Sequence, residues 1–171
     1  MNILIVTILN PCRFNYCHAS GQGGAVTATS GLVTVNLSQS SFLGCRSESA
    51  GGALAVLDSA HLIVWTTTFS RNEAGGQGGG ALYAGNAMLI ISNDVTCNHN
   101  VANFGGGGAL YWDGSAPPRI NDDQTSQDGA GCLCGDGNSA EYGPCLASAY
   151  SQLRVSQDVF ELITNNRIAE E

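Results

Sequence analysis

The chain has 171 residues, of which 43% are hydrophobic and 12% charged, and its formal net charge is −8 with six arginines and no lysine. This length and apolar content suit one folded domain and exclude intrinsic disorder. An acidic chain without lysine is poorly suited to bind nucleic-acid phosphates or anionic lipid, and it cannot form a lysine Schiff base or a P-loop.

The N-terminal segment 1–13 is apolar enough to be read as a short signal peptide, with a hydrophobic run over 3–9. The segment lacks the basic residues that normally precede such a run, so we interpret it as a strand of a first repeat. The chain has no apolar run long enough for a transmembrane helix. We expect the strand edges at this end of the array to be open, which would favour self-association.

A Gly-Gly-Ala tripeptide recurs four times at a constant spacing, from i to i+28, and an aliphatic residue follows each copy. The copies lie at 23–25, 51–53, 79–81 and 107–109. A second motif keeps the same period, since Phe14 and Cys17 precede Phe42 and Cys45 by the same interval. Such strict spacing indicates a repeat architecture.

Between these motifs lie short runs rich in β-branched and aliphatic residues, namely 32–35, 61–65 and 88–91. They have the length and composition of strands and are separated by Gly, Asn, Asp and Ser. A unit of this size cannot bury its apolar face alone, so successive units must stack. The sequence therefore predicts an all-β parallel β-helix of four to five coils, in which residue i lies about 4.8 Å from residue i+28.

The stacking predicts specific ladders inside the coils. We expect one ladder of alanines and a column of phenylalanine rings that fills the interior. The repeat domain is predicted to span 1–148, with an insertion of about ten residues near 121–134. The remaining segment, 149–171, is predicted to be a tail or cap, and the pattern over 157–171 indicates a short amphipathic helix.

The alternation of Gly-Gly-Ala-aliphatic with Phe-x-x-Asn resembles the repeat of the chlamydial-type polymorphic outer-membrane proteins over roughly 1–148. The resemblance implies a right-handed parallel β-helix of the pectin-lyase-like fold. It also implies an extracellular or cell-surface protein with an adhesin-like or glycan-binding role, whose partner is a polysaccharide or a cell-surface protein. Cys17 and Cys45 in the Asn position, and Cys97 in the Phe position, depart from that repeat.

Seven cysteines raise the question of disulfides. A bridge from Cys145 to either Cys134 or Cys132 would staple the insertion, and the spacing fits a zinc site poorly. Cys17 and Cys45 should be ladder neighbours, close enough for a disulfide or for simple stacking of two thiols.

One group of residues has the character of a catalytic or metal site. Asp94 and Asp122 are one repeat period apart, Asp123 follows, and Arg119 lies just before. Carboxylates about 5 Å apart on adjacent coils are used for glycoside chemistry or for binding calcium. Asp also favours turns for purely structural reasons, so we favour a non-enzymatic protein without a cofactor. A fragment of a polysaccharide lyase, hydrolase or epimerase is the alternative.

Overall fold

The computed structural model describes residues 4–8, 11–31, 33–91, 94–114, 118–120, 134–149 and 154–155. Within these residues every regular element is a short β-strand. The strands in chain order are β1 Leu4–Ile8, β2 Arg13–Asn15, β3 His18–Ala19, β4 Val26–Thr29, β5 Val33–Ser38, β6 Ser41–Leu43, β7 Arg46–Ser47, β8 Leu54–Leu57, β9 His61–Trp65, β10 Thr68–Ser70, β11 Glu73–Ala74, β12 Leu82–Gly85, β13 Met88–Ile91, β14 Thr96–Asn98, β15 Val101–Ala102, β16 Leu110–Asp113, β17 Arg119–Ile120, β18 Leu146–Ser148 and β19 Arg154–Val155.

The strands form four sheets in which all pairings are parallel. Sheet A contains β1, β5, β9, β13, β17 and β19, and sheet B contains β2, β6, β10 and β14. Sheet C contains β3, β7, β11 and β15, and sheet D contains β4, β8, β12, β16 and β18. The chain visits sheets B, C, D and A in turn and then repeats. The predicted all-β fold is therefore confirmed as a parallel β-solenoid of about four turns.

The predicted alanine ladder is present beside sheet D. The N–H of each alanine donates to the carbonyl of the alanine on the next coil, at 2.9 Å for Ala25 to Ala53, 3.0 Å for Ala53 to Ala81 and 3.1 Å for Ala81 to Ala109. Ala109 continues the ladder by donating to Cys145 at 3.0 Å. The repeat period thus sets the register of this sheet.

The two glycines of each motif have distinct steric roles. Gly79 has φ +68°, and a Cβ on it would collide with the carbonyl oxygen of Leu82 in its own corner. A Cβ on Gly80 would instead collide with the carbonyl of Gly108 on the next coil. The first glycine therefore allows the left-handed turn, and the second allows two coils to approach closely.

The interior of the solenoid is apolar and is buried by stacking. Leu54, Leu82 and Leu110 are at most 1% exposed, whereas Val26 and Leu146, at the two ends of the same ladder, are half-buried. The rings of Phe14, Phe42 and Phe69 stack at centroid distances of 4.7 and 4.9 Å. Each coil therefore buries the core residues of its neighbours, as expected for a repeat that cannot fold alone.

An asparagine ladder runs beside the phenylalanine column. The Nδ2 of Asn72 donates to the Oδ1 of Asn100 at 2.9 Å, and the Nδ2 of Asn100 donates to the Oδ1 of Asn138 at 3.0 Å. Each Oδ1 also accepts the backbone N–H of the asparagine one coil earlier. These bonds satisfy polar groups that the corner would otherwise bury without partners.

The corner between sheets B and C contains one residue per coil in the left-handed conformation. The φ values lie between 54° and 71° along the series Tyr16, Gly44, Arg71, His99 and Gly137. We name this series the corner line. Its non-glycine members are exposed, and the rings of Tyr16 and His99 lie over the glycine of the following coil.

The number of residues that separates paired positions on neighbouring coils is not uniform. Sheet A pairs His61 with Met88, from i to i+27, but pairs Ile91 with Ile120, from i to i+29. Most of the predicted insertion near 121–134 and the helix predicted over 157–171 lie outside the described residues. Within the predicted tail, β19 pairs with β17 as a further strand of sheet A.

Candidate functional site

The structure places two of the four predicted site residues. Asp94 is exposed, with φ +62°, in the turn that follows β13. Arg119 is exposed at the start of β17, where it pairs with Ile90. Asp122 and Asp123 lie outside the described residues. The expected adjacency of Asp94 and Asp122 assumed that residue i pairs with i+28, whereas β13 and β17 pair i with i+29.

Metal ligation gains no support from the described part of the chain, where no three His, Cys, Asp or Glu side chains come together. The sequence favours no cofactor at the aspartates, with calcium as the alternative, and this stays a prediction.

The structure resolves one of the alternatives that the cysteines left open. Cys134 and Cys145 form a disulfide with a Cα–Cα distance of 5.5 Å, and Cys132 lies outside the described residues. Cys134 pairs with Cys97, and Cys145 follows Ala109 in the alanine ladder. The bridge therefore joins two positions of the repeat within the last described coil.

A different group of side chains stands out on the outer surface of sheet D. Leu82 and Ala84 point into the core, so Tyr83 between them points outward, and Tyr111 is its partner on the next strand. The two rings are stacked, with centroids 5.9 Å apart and planes within 4° of each other. The parallel register thus turns a repeated tyrosine into an ordered stack.

Tyr142 lies near this stack, in the corner that precedes β18. It pairs with Gly106, and a Cβ at Gly106 would collide with the Tyr142 ring. Tyr142 is 51% exposed, and its side chain lies close enough to Tyr111 to affect the pKa of that residue. We refer to Tyr83, Tyr111 and Tyr142 as the tyrosine face.

Two phenols of the tyrosine face are held in the neutral form. Burial is the main cause that raises the pKa of Tyr111 to about 12, and the nearby Tyr142 hydroxyl and Asp113 carboxylate act in the same direction. Burial, followed by the charge of Asp113, also raises the pKa of Tyr83. Tyrosine hydroxyls are neutral hydrogen-bonding groups at physiological pH, and the raised pKa of these two extends that neutrality to more alkaline pH.

Carboxylates flank the tyrosine face. Asp113 ends β16 and is exposed. Glu141, next to Tyr142, accepts the backbone N–H of Gly105 through Oε2 at 2.9 Å, which anchors the corner that carries Tyr142. The arrangement combines fixed aromatic surface, neutral hydroxyls and hydrogen-bond acceptors. These groups recognise ligands that have both apolar faces and hydroxyl groups.

The sequence contains a signal for this face that is independent of acidic and metal-binding residues. The dipeptide Leu-Tyr follows Gly-Gly-Ala in two successive repeats, at 82–83 and 110–111. A tyrosine repeated at the solenoid period must stack with its copy, because parallel strands in register place equivalent residues side by side.

Comparison of the chain with known protein families, with curated proteins and with solved structures gives no match. No helix capable of crossing a bilayer occurs among the described residues.

Proposed function

We propose that this chain is a secreted or cell-surface scaffold that binds neutral glycans through the tyrosine face. The observation that carries the proposal is the half-exposed ring of Tyr142 beside Tyr111, whose own ring stacks on the buried ring of Tyr83. The proposal includes the finer assignment of the repeat to the right-handed, polymorphic outer-membrane protein-like class, which rests on the Gly-Gly-Ala and Phe-x-x-Asn motifs.

The chemistry of the face matches that of a sugar ring. A pyranose presents C–H groups that pack on an aromatic ring, together with hydroxyls that donate to carboxylates and exchange hydrogen bonds with phenols. Tyrosine supplies this contact area at a low cost in side-chain entropy, because few of its torsions have to be fixed. Here Tyr83 is only 6% exposed, so it holds the neighbouring ring of Tyr111 in place, and the contact surface for a ligand comes from Tyr111 and Tyr142.

The charge distribution favours neutral over acidic glycans. Asp113 and Glu141 flank the face, and the whole chain has a net charge of −8. A polyuronate would be repelled by both the local and the long-range field. Neutral sugars have no such penalty, and their hydroxyls are good donors to the two carboxylates.

The disulfide supports the proposed location. Disulfides form and persist in oxidising compartments, such as the secretory pathway and the cell exterior. The bridge between Cys134 and Cys145 is therefore in keeping with a secreted or cell-surface protein.

The test is titration of the full chain with laminarin and cello-oligosaccharides as neutral probes, followed by calorimetry. Tyr142→Ala should weaken binding by about tenfold or more, which corresponds to about 1.4 kcal/mol. Trp65→Ala is the matched control, because Trp65 is similarly exposed, at 48%, but lies on sheet A. Equal losses in the two variants, or no binding of any neutral probe, would contradict the proposal.

The alternative, a polysaccharide-active enzyme that uses Asp94, Asp122 and Asp123, predicts different behaviour. It requires cleavage of pectate or alginate that Asp122→Asn abolishes, together with calcium binding that raises the melting temperature. We expect neither effect. Cleavage that is lost in Asp122→Asn would replace the scaffold proposal with the enzymatic one.

A further inference from the structure

We propose that Cys17 and Cys45 are a modification site, at which oxidation forms a disulfide between the first two coils. This inference is independent of the proposed glycan binding. It rests on the stacking of the two thiols, on their matching orientation and on their unequal exposure.

The register places the two cysteines side by side. β2 pairs with β6 on one side of them, and β3 pairs with β7 on the other. The N–H of Arg46 donates to the carbonyl of Cys17 at 2.8 Å, so the two backbones are directly joined at this position. Adjacent parallel strands are about 4.8 Å apart, which is within the Cα separation of about 4.4–6.8 Å that disulfides span.

The two thiols point in the same direction. Each makes a weak hydrogen bond to the carbonyl two residues earlier, at 3.9 Å from Cys17 to Asn15 and 3.8 Å from Cys45 to Leu43. The Cys45 thiol also donates to the carbonyl of Phe14, at 3.5 Å, across the gap between the coils. A rotation of the Cys45 side chain toward Cys17 therefore breaks only weak bonds.

The unequal exposure of the pair defines an order of reaction. Cys17 is half-buried and can be reached by a small disulfide reagent, whereas Cys45 is fully buried. The Cys17 thiolate attacks a low-molecular-weight disulfide such as oxidised glutathione, forming a mixed disulfide and releasing one thiolate. The Cys45 thiolate then attacks the Cys17 sulfur and releases the second thiolate. The two cysteines lose two protons and two electrons, and the reagent is reduced to two thiols.

The second step should be slow and dependent on pH. Burial is the main cause that raises the pKa of Cys45 to about 11, so little of it is thiolate at neutral pH. The rate of ring closure should therefore rise about tenfold per pH unit below that value. An exposed thiol, with its lower pKa, would reach its maximum rate at a lower pH, so the pH dependence of disulfide formation identifies Cys45 as the attacking thiol.

The test uses the full chain, equilibrated with oxidised and reduced glutathione, alkylated without reduction and digested with trypsin. Cleavage after Arg13 and Arg46 yields peptide 14–46, which contains Cys17 and Cys45 and no other cysteine. We expect this peptide to be lighter by two hydrogen atoms and to carry no alkyl group. Two alkyl groups, a retained glutathione or a link to the peptide that contains Cys12 would each overturn the proposal.

The stability of variants provides a second measurement. Oxidation should raise the melting temperature of the wild-type chain by about 5–10 °C, because it removes entropy from the unfolded state. Cys17→Ser should abolish this rise. Cys12→Ser is the matched control, since Cys12 is also half-buried and lies in the same coil, and it should leave the rise intact. A rise that persists in Cys17→Ser would contradict the assignment.

Discussion

The N-terminal and C-terminal coils fill equivalent interior positions with different chemistry. In the first two coils a phenylalanine precedes a cysteine, and in the last two a cysteine precedes an asparagine. The middle coil has both Phe69 and Asn72. The N-terminal pairs are Phe14 with Cys17 and Phe42 with Cys45. The C-terminal pairs are Cys97 with Asn100 and Cys134 with Asn138.

The comparison shows that the same corner of the solenoid can be stabilised by two different kinds of interaction. The N-terminal coils rely on stacked aromatic rings, whereas the C-terminal coils rely on a buried amide ladder. Aromatic burial is non-directional, but an amide ladder must satisfy every donor and acceptor that it buries. The two regions should therefore respond differently to substitution, to pH and to exchange of their residues.

The largest effect is expected from Phe42→Ala. The Phe42 ring is fully buried between those of Phe14 and Phe69, and its removal leaves a cavity in the aromatic column. We expect a loss of about 3–5 kcal/mol in the free energy of unfolding, measured with denaturant. Phe104→Ala, at an exposed ring, should change it by less than about 0.5 kcal/mol. If the two variants lost similar amounts of unfolding free energy, the phenylalanine column would contribute little to stability.

Asn100→Ala tests the buried asparagine ladder of the C-terminal coils. The substitution removes the acceptor of the Asn72 N–H and the donor to the Phe69 carbonyl, in a site with no exposure. Each unpaired buried group costs about 1–3 kcal/mol, so we expect a total loss of about 2–4 kcal/mol. Asn15→Ala, at an exposed position of β2, is the control. A loss below about 1 kcal/mol, on the order of one exposed hydrogen bond, would show that the ladder is dispensable.

The thiol region should lose stability at alkaline pH under reducing conditions. Folding raises the pKa of Cys45 from 9.0 to about 11, mainly through burial, so the folded state retains a proton that the unfolded state loses. Stability from this group is complete below pH 9 and falls as the pH rises toward 11. The difference in unfolding free energy between wild type and Cys45→Ala should shrink over this window. A difference that is constant with pH would contradict the assignment.

Cys45→Asn should have the smallest effect and tests whether the two chemistries are interchangeable. An asparagine here can donate to the Phe14 carbonyl that the thiol now contacts, as Asn72 does to the Phe42 carbonyl. We expect a gain of up to about 1 kcal/mol in unfolding free energy. A loss greater than that amount would show that the ladder requires a different backbone spacing.

Most of the fold follows from the repeat period. The phase of Gly-Gly-Ala predicts the alanine ladder, and the strands predicted at 61–65 and 88–91 are β9 and β13. Parallel stacking makes every motif a ladder, so one correct period places many contacts. The period did not predict the longer step between Ile91 and Ile120, because a turn can change length without disturbing the strands that it joins.

The candidate site could be predicted from the sequence less directly than the fold. The spacing of carboxylates by one repeat indicated a site at Asp94, but aspartate is also one of the residues that tolerate the left-handed backbone of this turn. Tyr83 and Tyr111 were visible as a repeated dipeptide, whereas the role of Tyr142 depends on the corner that holds its ring over Gly106. That corner belongs to a coil whose Gly-Gly-Ala has become Gly-Pro-Cys, so its phase is hidden in the sequence.

The corner line has a further consequence for how the surface can vary. Its left-handed backbone recurs with tyrosine, arginine, histidine or glycine, so this turn accepts several side chains, whereas a Cβ at Gly44 or Gly137 would collide with the ring of the preceding coil. The rungs are about 4.8 Å apart, so a linear polymer lying along the solenoid axis would meet a new side chain at each rung. Substitutions at Tyr16, Arg71 or His99 should therefore change the chemistry that such a polymer meets along this edge, while the spacing between successive side chains stays the same.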